Sequence, residues 1–196
     1  MREMNISEKK HAIYVVLSST DTNIARAIRV LTRMPYSHAS VTDDPSLHRL
    51  YSFCRNYSMI PLPATFNTEF IGEGTFGRFE NIPCEIYEIM LSEADYHQFQ
   101  LIIAHFQDFR KDFSYSLMGL LRVKMQIEKE LRTKFVCSQF VAYVLDRCSV
   151  TLPKPPSIAA PEDLRHIPGA KLIYRGELNR YYHEKSAAVQ PITSAV

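Results

Sequence analysis

Residues 134–145 read KFVCSQFVAYVL and predict a short extended segment followed by an apolar helix that begins at Cys137. Phe140, Val141 and Val144 recur at the spacing of one buried helix face. Unpaired N–H groups and the helix dipole favour an anion in the first turn of a helix. A thiol placed there can become a thiolate, the form that attacks carbonyl carbon. A free cysteine also packs as a small hydrophobic residue, and this stretch alone favours packing.

The bulk composition is typical of one globular domain. Of 196 residues, 46% are hydrophobic and 22% charged, which is enough apolar material for a core. The net charge is only +2 and the Lys and Arg residues are spread along the chain. This pattern argues against a surface dedicated to nucleic acid or to an anionic membrane. We expect one domain over residues 1–180 and a flexible tail over residues 181–196.

The location and the redox state follow from similar arguments. No apolar run approaches the roughly 18 residues of a membrane span, so we expect no integral membrane segment. The first ten residues are polar and of mixed charge, unlike a secretory signal, which predicts a cytoplasmic protein. Four cysteines (Cys54, Cys84, Cys137 and Cys148) form no CxxC pair and match no zinc template, so we expect free thiols and no metal or other cofactor.

Hydrophobic periodicity and turn residues predict an alternation of strands and helices. Strands are predicted over residues 11–18, 36–42, 49–55, 84–91 and 171–175, and helices over residues 20–34, 92–110, 137–147 and part of 115–131. The second and third strands form a hairpin centred near Pro45. Residues 56–83 predict a long excursion with one short strand near 68–71, and a loop of that length often forms the wall or lid of a site.

A cysteine nucleophile needs a base, and His38 is the histidine whose position fits best. It lies early in a predicted strand between Ser37 and Ala39, whose small side chains leave room around an imidazole. Taken alone, a structural strand histidine is the simpler interpretation. Tyr14, Ser18 and Gln139 are weaker candidates for the same cleft, since each is equally well explained as an ordinary strand or helix residue.

The order of these motifs resembles the circularly permuted papain-like proteins of the NlpC superfamily. The resemblance covers residues 13–176 and is carried by YSHASV at 36–41, FVCSQFV at 135–141, APEDL at 160–164 and LIYRG at 172–176. It implies an α+β fold in which an antiparallel sheet or half-barrel packs against the helix that carries Cys137. It also implies that Cys137 is the nucleophile, that His38 is the general base and later the acid, and that the Cys137 N–H helps to form an oxyanion hole.

The third site residue is where this sequence departs from the family pattern. The family usually supplies an acid or an amide from the next strand to orient the imidazole. A hairpin turning about Pro45 places Ser52 opposite His38, where cross-strand partners share a face. Ser52 is therefore the predicted third residue, with Tyr51 or a backbone carbonyl as alternatives. A one-residue slip in register would turn Ser52 away.

Three functions compete at this point. The first is a cysteine hydrolase that cleaves an amide or peptide bond through a thioester acyl-enzyme. The second keeps the thiol but acts on lipid acyl groups, as an acyltransferase or phospholipase, with an apolar pocket built from the aromatic stretch 57–79. The third is a non-catalytic binding module with a degenerate triad, suggested by a serine where an acid is expected. The expected partner is a peptide, amide or acyl substrate, and not a nucleic acid.

Overall fold

The computed structural model describes residues 9–22, 25–26, 29–30, 34–55 and 64–189. Six strands form one antiparallel sheet in the order β4-β3-β2-β1-β5-β8: β1 Lys10–Ser18, β2 His38–Thr42, β3 Leu50–Arg55, β4 Ala64–Glu69, β5 Pro83–Ser92 and β8 Lys171–Glu177. Two short strands, β6 Ser114–Tyr115 and β7 Lys134–Phe135, pair in parallel. Four α-helices have described bounds: α1 Glu93–Asp108, α2 Leu117–Met125, α3 Cys137–Arg147 and α4 Leu178–Val189. In the helix predicted over residues 20–34, residues 25–26 and 29–30 are helical, and residues 23–24, 27–28 and 31–33 lie outside the described part. The predicted α+β class with an antiparallel sheet is confirmed.

Strand β1 lies at the centre of the sheet and is buried on both faces. Ile13, Val15 and Leu17 point into a core shared with α1 and α3. Tyr14 and Val16 point into a second core, on the side where α4 packs. Burial on both faces explains why the strand reads as a continuous apolar run instead of an alternating one.

An aromatic cluster fixes α3 against the sheet. The ring centroid of Phe53 in β3 lies 5.4 Å from that of Phe140 in α3, and the ring centroid of Phe106 in α1 lies 5.0 Å from that of Phe140. Phe66 of β4 and Phe135 of β7 complete the cluster, and both are almost fully buried. Because α3 lies on β2 and β3 and these rings pack against it, its first residue, Cys137, has a fixed position relative to the sheet.

A buried carboxylate ties the other end of the sheet together. Glu85 of β5 is 1% exposed and accepts hydrogen bonds from Arg165 Nε at 2.8 Å, Arg175 Nε at 2.7 Å and the Tyr87 hydroxyl at 2.7 Å. Burial raises the pKa of Glu85, but the bonds from Tyr87 and Arg165 outweigh it and leave the pKa below its usual value. The charge is therefore held by partners on β5, β8 and the turn before β8.

The chain departs from the sequence prediction at two places that affect the site. Strand β4 spans Ala64–Glu69, earlier than the predicted strand at 68–71, and residues 56–63 of that excursion lie outside the described part. The tail predicted from residue 181 is helical up to Val189, because Leu178 and Tyr181 are buried in the second core. Residues 190–196 of the predicted tail lie outside the described part. Within the described ranges, no helix is long and apolar enough to cross a membrane.

Candidate active site

Side-chain hydrogen bonds on both sides hold the start of α3. Val136 is extended, with φ −99° and ψ 165°, and its N–H donates to Gln139 Oε1 at 3.0 Å. Gln139 Nε2 donates to the Ser157 carbonyl at 2.6 Å, and Ser138 Oγ donates to the Ala159 carbonyl at 2.7 Å. Gln139 therefore acts as a cap and a clamp for the helix start. Its amide oxygen and one amide N–H are committed to these partners.

Cys137 is the first residue of this 11-residue helix and is 5% exposed. The first N–H groups of a helix have no partner within the helix itself. They carry the positive end of the helix dipole, which favours negative charge on a side chain or a bound oxygen nearby. The thiol thus lies in the electrostatic setting that the sequence predicted.

His38 is the first residue of β2, and a carboxylate from β4 binds its ring. His38 Nε2 lies 2.7 Å from Glu69 Oε2, and the two side chains are only 18% and 11% exposed. Ser40 Oγ lies 3.3 Å from the same nitrogen and donates to Glu69 Oε2 at 3.2 Å. Glu69, the last residue of β4, is therefore the acid that meets the imidazole.

The environment of His38 favours its protonated form. Burial lowers the pKa of the imidazole, but the charge of Glu69 and hydrogen bonding with Cys137 and Glu69 raise it well above 6.5. The ring contacts with Glu69 and Ser40 both use Nε2. The Cys137 thiol acts on the same ring, and its hydrogen bond and charge both raise the pKa of the imidazole. His38 and Cys137, predicted separately from distant motifs, thus lie side by side.

Two further side chains border the thiol. Tyr115 of β6 pairs with Phe135, two residues before Cys137. Burial, followed by the charges of Cys137 and Cys54, raises the pKa of Tyr115. Burial, followed by the charge of Glu69, raises the pKa of Cys54 well above its ordinary value. Tyr115 and Cys54 thus both interact electrostatically with the Cys137 side chain, and sequence reasoning assigned neither of them to the site.

Ser52 does not bind the imidazole, so its predicted pairing with His38 is wrong. Its hydroxyl donates to the Ala39 carbonyl at 2.6 Å. The observed cross-strand pair is Val41 with Tyr51, which by extension sets Ser52 level with Ser40. The hairpin is centred one residue later than predicted, and a one-residue shift of the centre moves the register by two residues.

The cause of the shifted centre lies in the loop between β2 and β3. Asp44 Oδ1 accepts the Ser46 N–H at 2.8 Å, and Asp44 Oδ2 accepts the His48 N–H at 3.1 Å. Leu47 adopts a positive φ of 59° and its N–H bonds the Asp44 carbonyl at 3.0 Å. The side chain of Asp44 thus organises residues 44–48 into one turn, instead of a turn about Pro45.

The remaining candidates contribute less. Ser18 pairs with His38 across β1 and β2, and its buried Oγ has no hydrogen-bond partner among the described residues. Tyr14 packs in the second core. In the aromatic stretch proposed as an acyl pocket, Phe66 and Phe76 are buried core residues, and the Phe76 ring centroid lies 6.2 Å from that of His38. Met59 and Ile60 of that stretch lie outside the described residues.

Glu69 could have been found from sequence only with the correct pairing of β3 and β4. Leu50 pairs with Glu69 in that register, so the end of β4 lies beside the start of β3.

Among the described residues, no group of three or more His, Cys, Asp or Glu side chains is arranged to hold a metal ion. Comparison with models of known families, with curated proteins and with solved structures finds no match. The function is therefore argued from the geometry of Cys137, His38 and Glu69.

Proposed function

We propose that the protein is a cysteine hydrolase of the permuted papain-like type, which cleaves an amide or peptide bond. Cys137 is the nucleophile, His38 the general base and Glu69 the residue that orients and charges the imidazole. The observation that carries the proposal is the 2.7 Å bond between Glu69 Oε2 and His38 Nε2, on an imidazole that also contacts the Cys137 thiol. A nucleophile, a base and an orienting acid in one chain of contacts is the arrangement that activates a thiol.

The steps follow from this arrangement. His38 accepts the proton of Cys137, and the sulfur attacks the carbonyl carbon of the substrate. The charge that develops on the carbonyl oxygen lies at the start of α3, where the Cys137 N–H is a donor. His38 then gives its proton to the leaving amine as the C–N bond breaks, which leaves a thioester. Water, deprotonated by His38, attacks the thioester, releases the carboxylic acid and restores the thiol.

Glu69 supports an enzyme over a binding module with a degenerate triad. The binding module was suggested by a hydroxyl, Ser52, in place of the expected acid. A carboxylate next to His38 stabilises the imidazolium that forms during the reaction, which a hydroxyl cannot do. Since Glu69 engages Nε2, His38 Nδ1 is the nitrogen we assign to proton exchange with Cys137.

Alkylation by iodoacetamide tests the activated thiol without knowledge of the substrate. Each cysteine is followed by peptide mass spectrometry between about pH 5.5 and 9, a range that brackets the ordinary titration of His and Cys. Cys84 and Cys148 are internal controls, because burial raises the pKa of each thiol to about 12. We expect Cys137 to react at least about tenfold faster than either control near pH 6.5, and His38→Ala to remove that advantage. Equal rates, or no effect of His38→Ala, would refute the proposal.

The substrate class is tested by trapping the acyl-enzyme. The full chain is incubated with an activated peptide ester and, separately, with an activated fatty-acyl ester, and the mass added to Cys137 is measured. A peptidyl adduct that turns over, with no stable fatty-acyl adduct, is the expected outcome. The converse result would select the lipid acyl enzyme over the amide hydrolase.

A further inference from the structure

Helix α2 is apolar on two sides, and the described residues cover only one of them. Its inner side packs on the start of α3: a Cβ at Gly119 would lie 3.1 Å from Val136 Cγ1, and Val123 is buried beside the same residue. Its outer side carries Met118, Leu121 and Met125, which are 58%, 44% and 58% exposed. At about 100° per residue these three side chains lie within an arc of roughly 60°. A second apolar side on a helix normally packs against another surface.

The exposed apolar residues of the described chain are concentrated here. Of nine large hydrophobic residues that are exposed, four lie between residues 118 and 127, the fourth being Ile127 at 47%. The outer stripe of α2 is therefore a patch and not a set of scattered residues. The opposite side of α2 contacts Val136, the residue before Cys137, so the same helix carries the patch and supports the candidate nucleophile.

Positive charge surrounds the same patch. Residues 117–134 contain five Lys or Arg and two Glu, a net charge of +3 in a chain whose total is +2. Arg132 forms an ion pair with Glu130, in which Nη2 lies 2.7 Å from Oε2. Within the described ranges, the other four cations have no carboxylate within 4.0 Å: Arg122, Lys124, Lys129 and Lys134. On the helix itself, Arg122 and Lys124 flank the apolar stripe on opposite sides.

A cavity of about 660 Å³ opens beside this helix. Arg122, Lys129 and Lys134 line it together with Met118 of the apolar stripe, and Gln139 lies on its wall toward α3. Glu130 and Arg132 also line it, and their charges are paired with each other. Cationic side chains therefore line a recess at the edge of the exposed apolar residues. This is the arrangement in which an anionic head group and its acyl chains can be contacted together.

We infer that α2 and residues 126–134 form a docking surface for an anionic phospholipid bilayer. The apolar stripe enters the region between head groups and acyl chains, and the four unpaired cations contact lipid phosphates. Charge complementarity and the flanked apolar stripe carry this choice, since nucleic acid offers no counterpart to exposed Met and Leu side chains. This proposal runs against the expectation, drawn from the low net charge, that the protein has no surface for an anionic membrane.

Binding to vesicles tests this surface independently of any hydrolytic activity. The full chain carrying Cys137→Ala is sedimented with vesicles of pure phosphatidylcholine and with vesicles containing roughly one third phosphatidylserine. We expect at least about tenfold tighter binding to the anionic vesicles, weakened as salt is raised from about 0.1 M to 0.5 M. No binding, or equal binding to both vesicles, would overturn the inference. Turnover is not measured, so failure of the proposed hydrolase leaves this result unaffected.

Matched variants locate the binding on α2. The apolar test variant is Met118→Gln/Leu121→Gln/Met125→Gln, and its control is Met90→Gln/Leu101→Gln/Leu172→Gln, whose side chains are 49%, 52% and 40% exposed on other elements. The charge test variant is Lys124→Gln/Lys129→Gln/Lys134→Gln, and its control is Lys111→Gln/Lys171→Gln/Lys185→Gln. We expect the affinity for anionic vesicles to fall about a hundredfold in the charge test variant and at least about tenfold in the apolar test variant. The affinity of each control should stay within about twofold of the parent.

Two other occupants of the surface give different results. If polyglutamate binds the chain as tightly as the vesicles do and the apolar test variant leaves both unchanged, an acidic protein surface is the partner and the inference fails. If the chain sediments as a dimer and the apolar test variant as a monomer, a second copy covers α2 and the inference also fails. Thermal unfolding of each variant, expected to be close to that of the parent because the substituted side chains are exposed, excludes loss of fold as the cause.

Discussion

Glu69→Gln is the substitution that tests the site most directly. It keeps the size of the side chain and its capacity to hydrogen-bond, and it removes only the charge beside His38. Glu69 Oε2 lies 2.7 Å from His38 Nε2, and the Glu69 and His38 side chains are 11% and 18% exposed, so solvent screens their interaction weakly. A hydrogen bond to a charged partner contributes about 1.5–3 kcal/mol. If that stabilisation is lost from the reacting imidazolium, the rate falls by roughly 10- to 150-fold.

The assay is the second-order rate of Cys137 alkylation as a function of pH. Because Glu69 and Cys137 hold the pKa of His38 above 6.5, the imidazolium persists through neutral pH in the parent protein. We expect Glu69→Gln to lower the rate and to move the loss of imidazolium to lower pH. Ser52→Ala is the matched control: it removes a bond to the Ala39 carbonyl, lowers stability by about 1 kcal/mol and leaves the pH profile in place.

Glu69→Gln should also change how the free energy of unfolding depends on pH, and the direction of that change can be stated. A pKa raised on folding contributes stability that is fully present below the unfolded value of 6.5 and is lost as pH rises through the folded pKa. The difference in the free energy of unfolding between the parent and Glu69→Gln is therefore largest between about pH 5 and 6.5 and becomes smaller at higher pH. An unchanged alkylation profile together with a pH-independent stability difference would refute the role of Glu69.

Two further substitutions test how the surrounding structure is held. Gln139→Ala removes the bonds to the buried Val136 N–H and to the half-buried Ser157 carbonyl. We therefore expect the free energy of unfolding in urea to fall by about 2–4 kcal/mol, against less than about 0.5 kcal/mol for the exposed Asp146→Ala. Glu85→Gln is expected to cost about 1–3 kcal/mol at pH 7. The pKa of Glu85 lies below 4.5, so the stability that its charge contributes is lost as pH falls through that lower pKa. The free energies of unfolding of the parent and Glu85→Gln should therefore become equal in acid. A difference that persists there would contradict this role.

The local elements around the site could be predicted because their signals are contained in short stretches. The apolar spacing after Cys137 predicted α3, and the β-branched run before Ser18 predicted β1. Ser92 accepts the Asp95 N–H at 3.1 Å, as a capping residue before α1 should. In each case a few neighbouring residues decide the backbone conformation, so the sequence alone was sufficient.

The partner of His38 was decided by tertiary structure. Its identity depends on the register of β2, β3 and β4, which the Asp44 turn sets and which a displacement of one residue changes. Ser52 in the middle of β3 and Glu69 at the end of β4 are both polar, and nothing local distinguishes the one that reaches the imidazole.

The same division applies to the charge of the molecule. The sequence by itself determined a net charge of +2 and the helix that carries the thiol. Only the folded chain could show which cations lack a carboxylate partner and which Met and Leu side chains of α2 remain exposed. Periodicity and capping act over three or four residues, whereas pairing, burial and charge neutralisation join residues tens of positions apart. The sequence therefore specified Cys137 and its helix, and the tertiary structure brought Glu69 to His38.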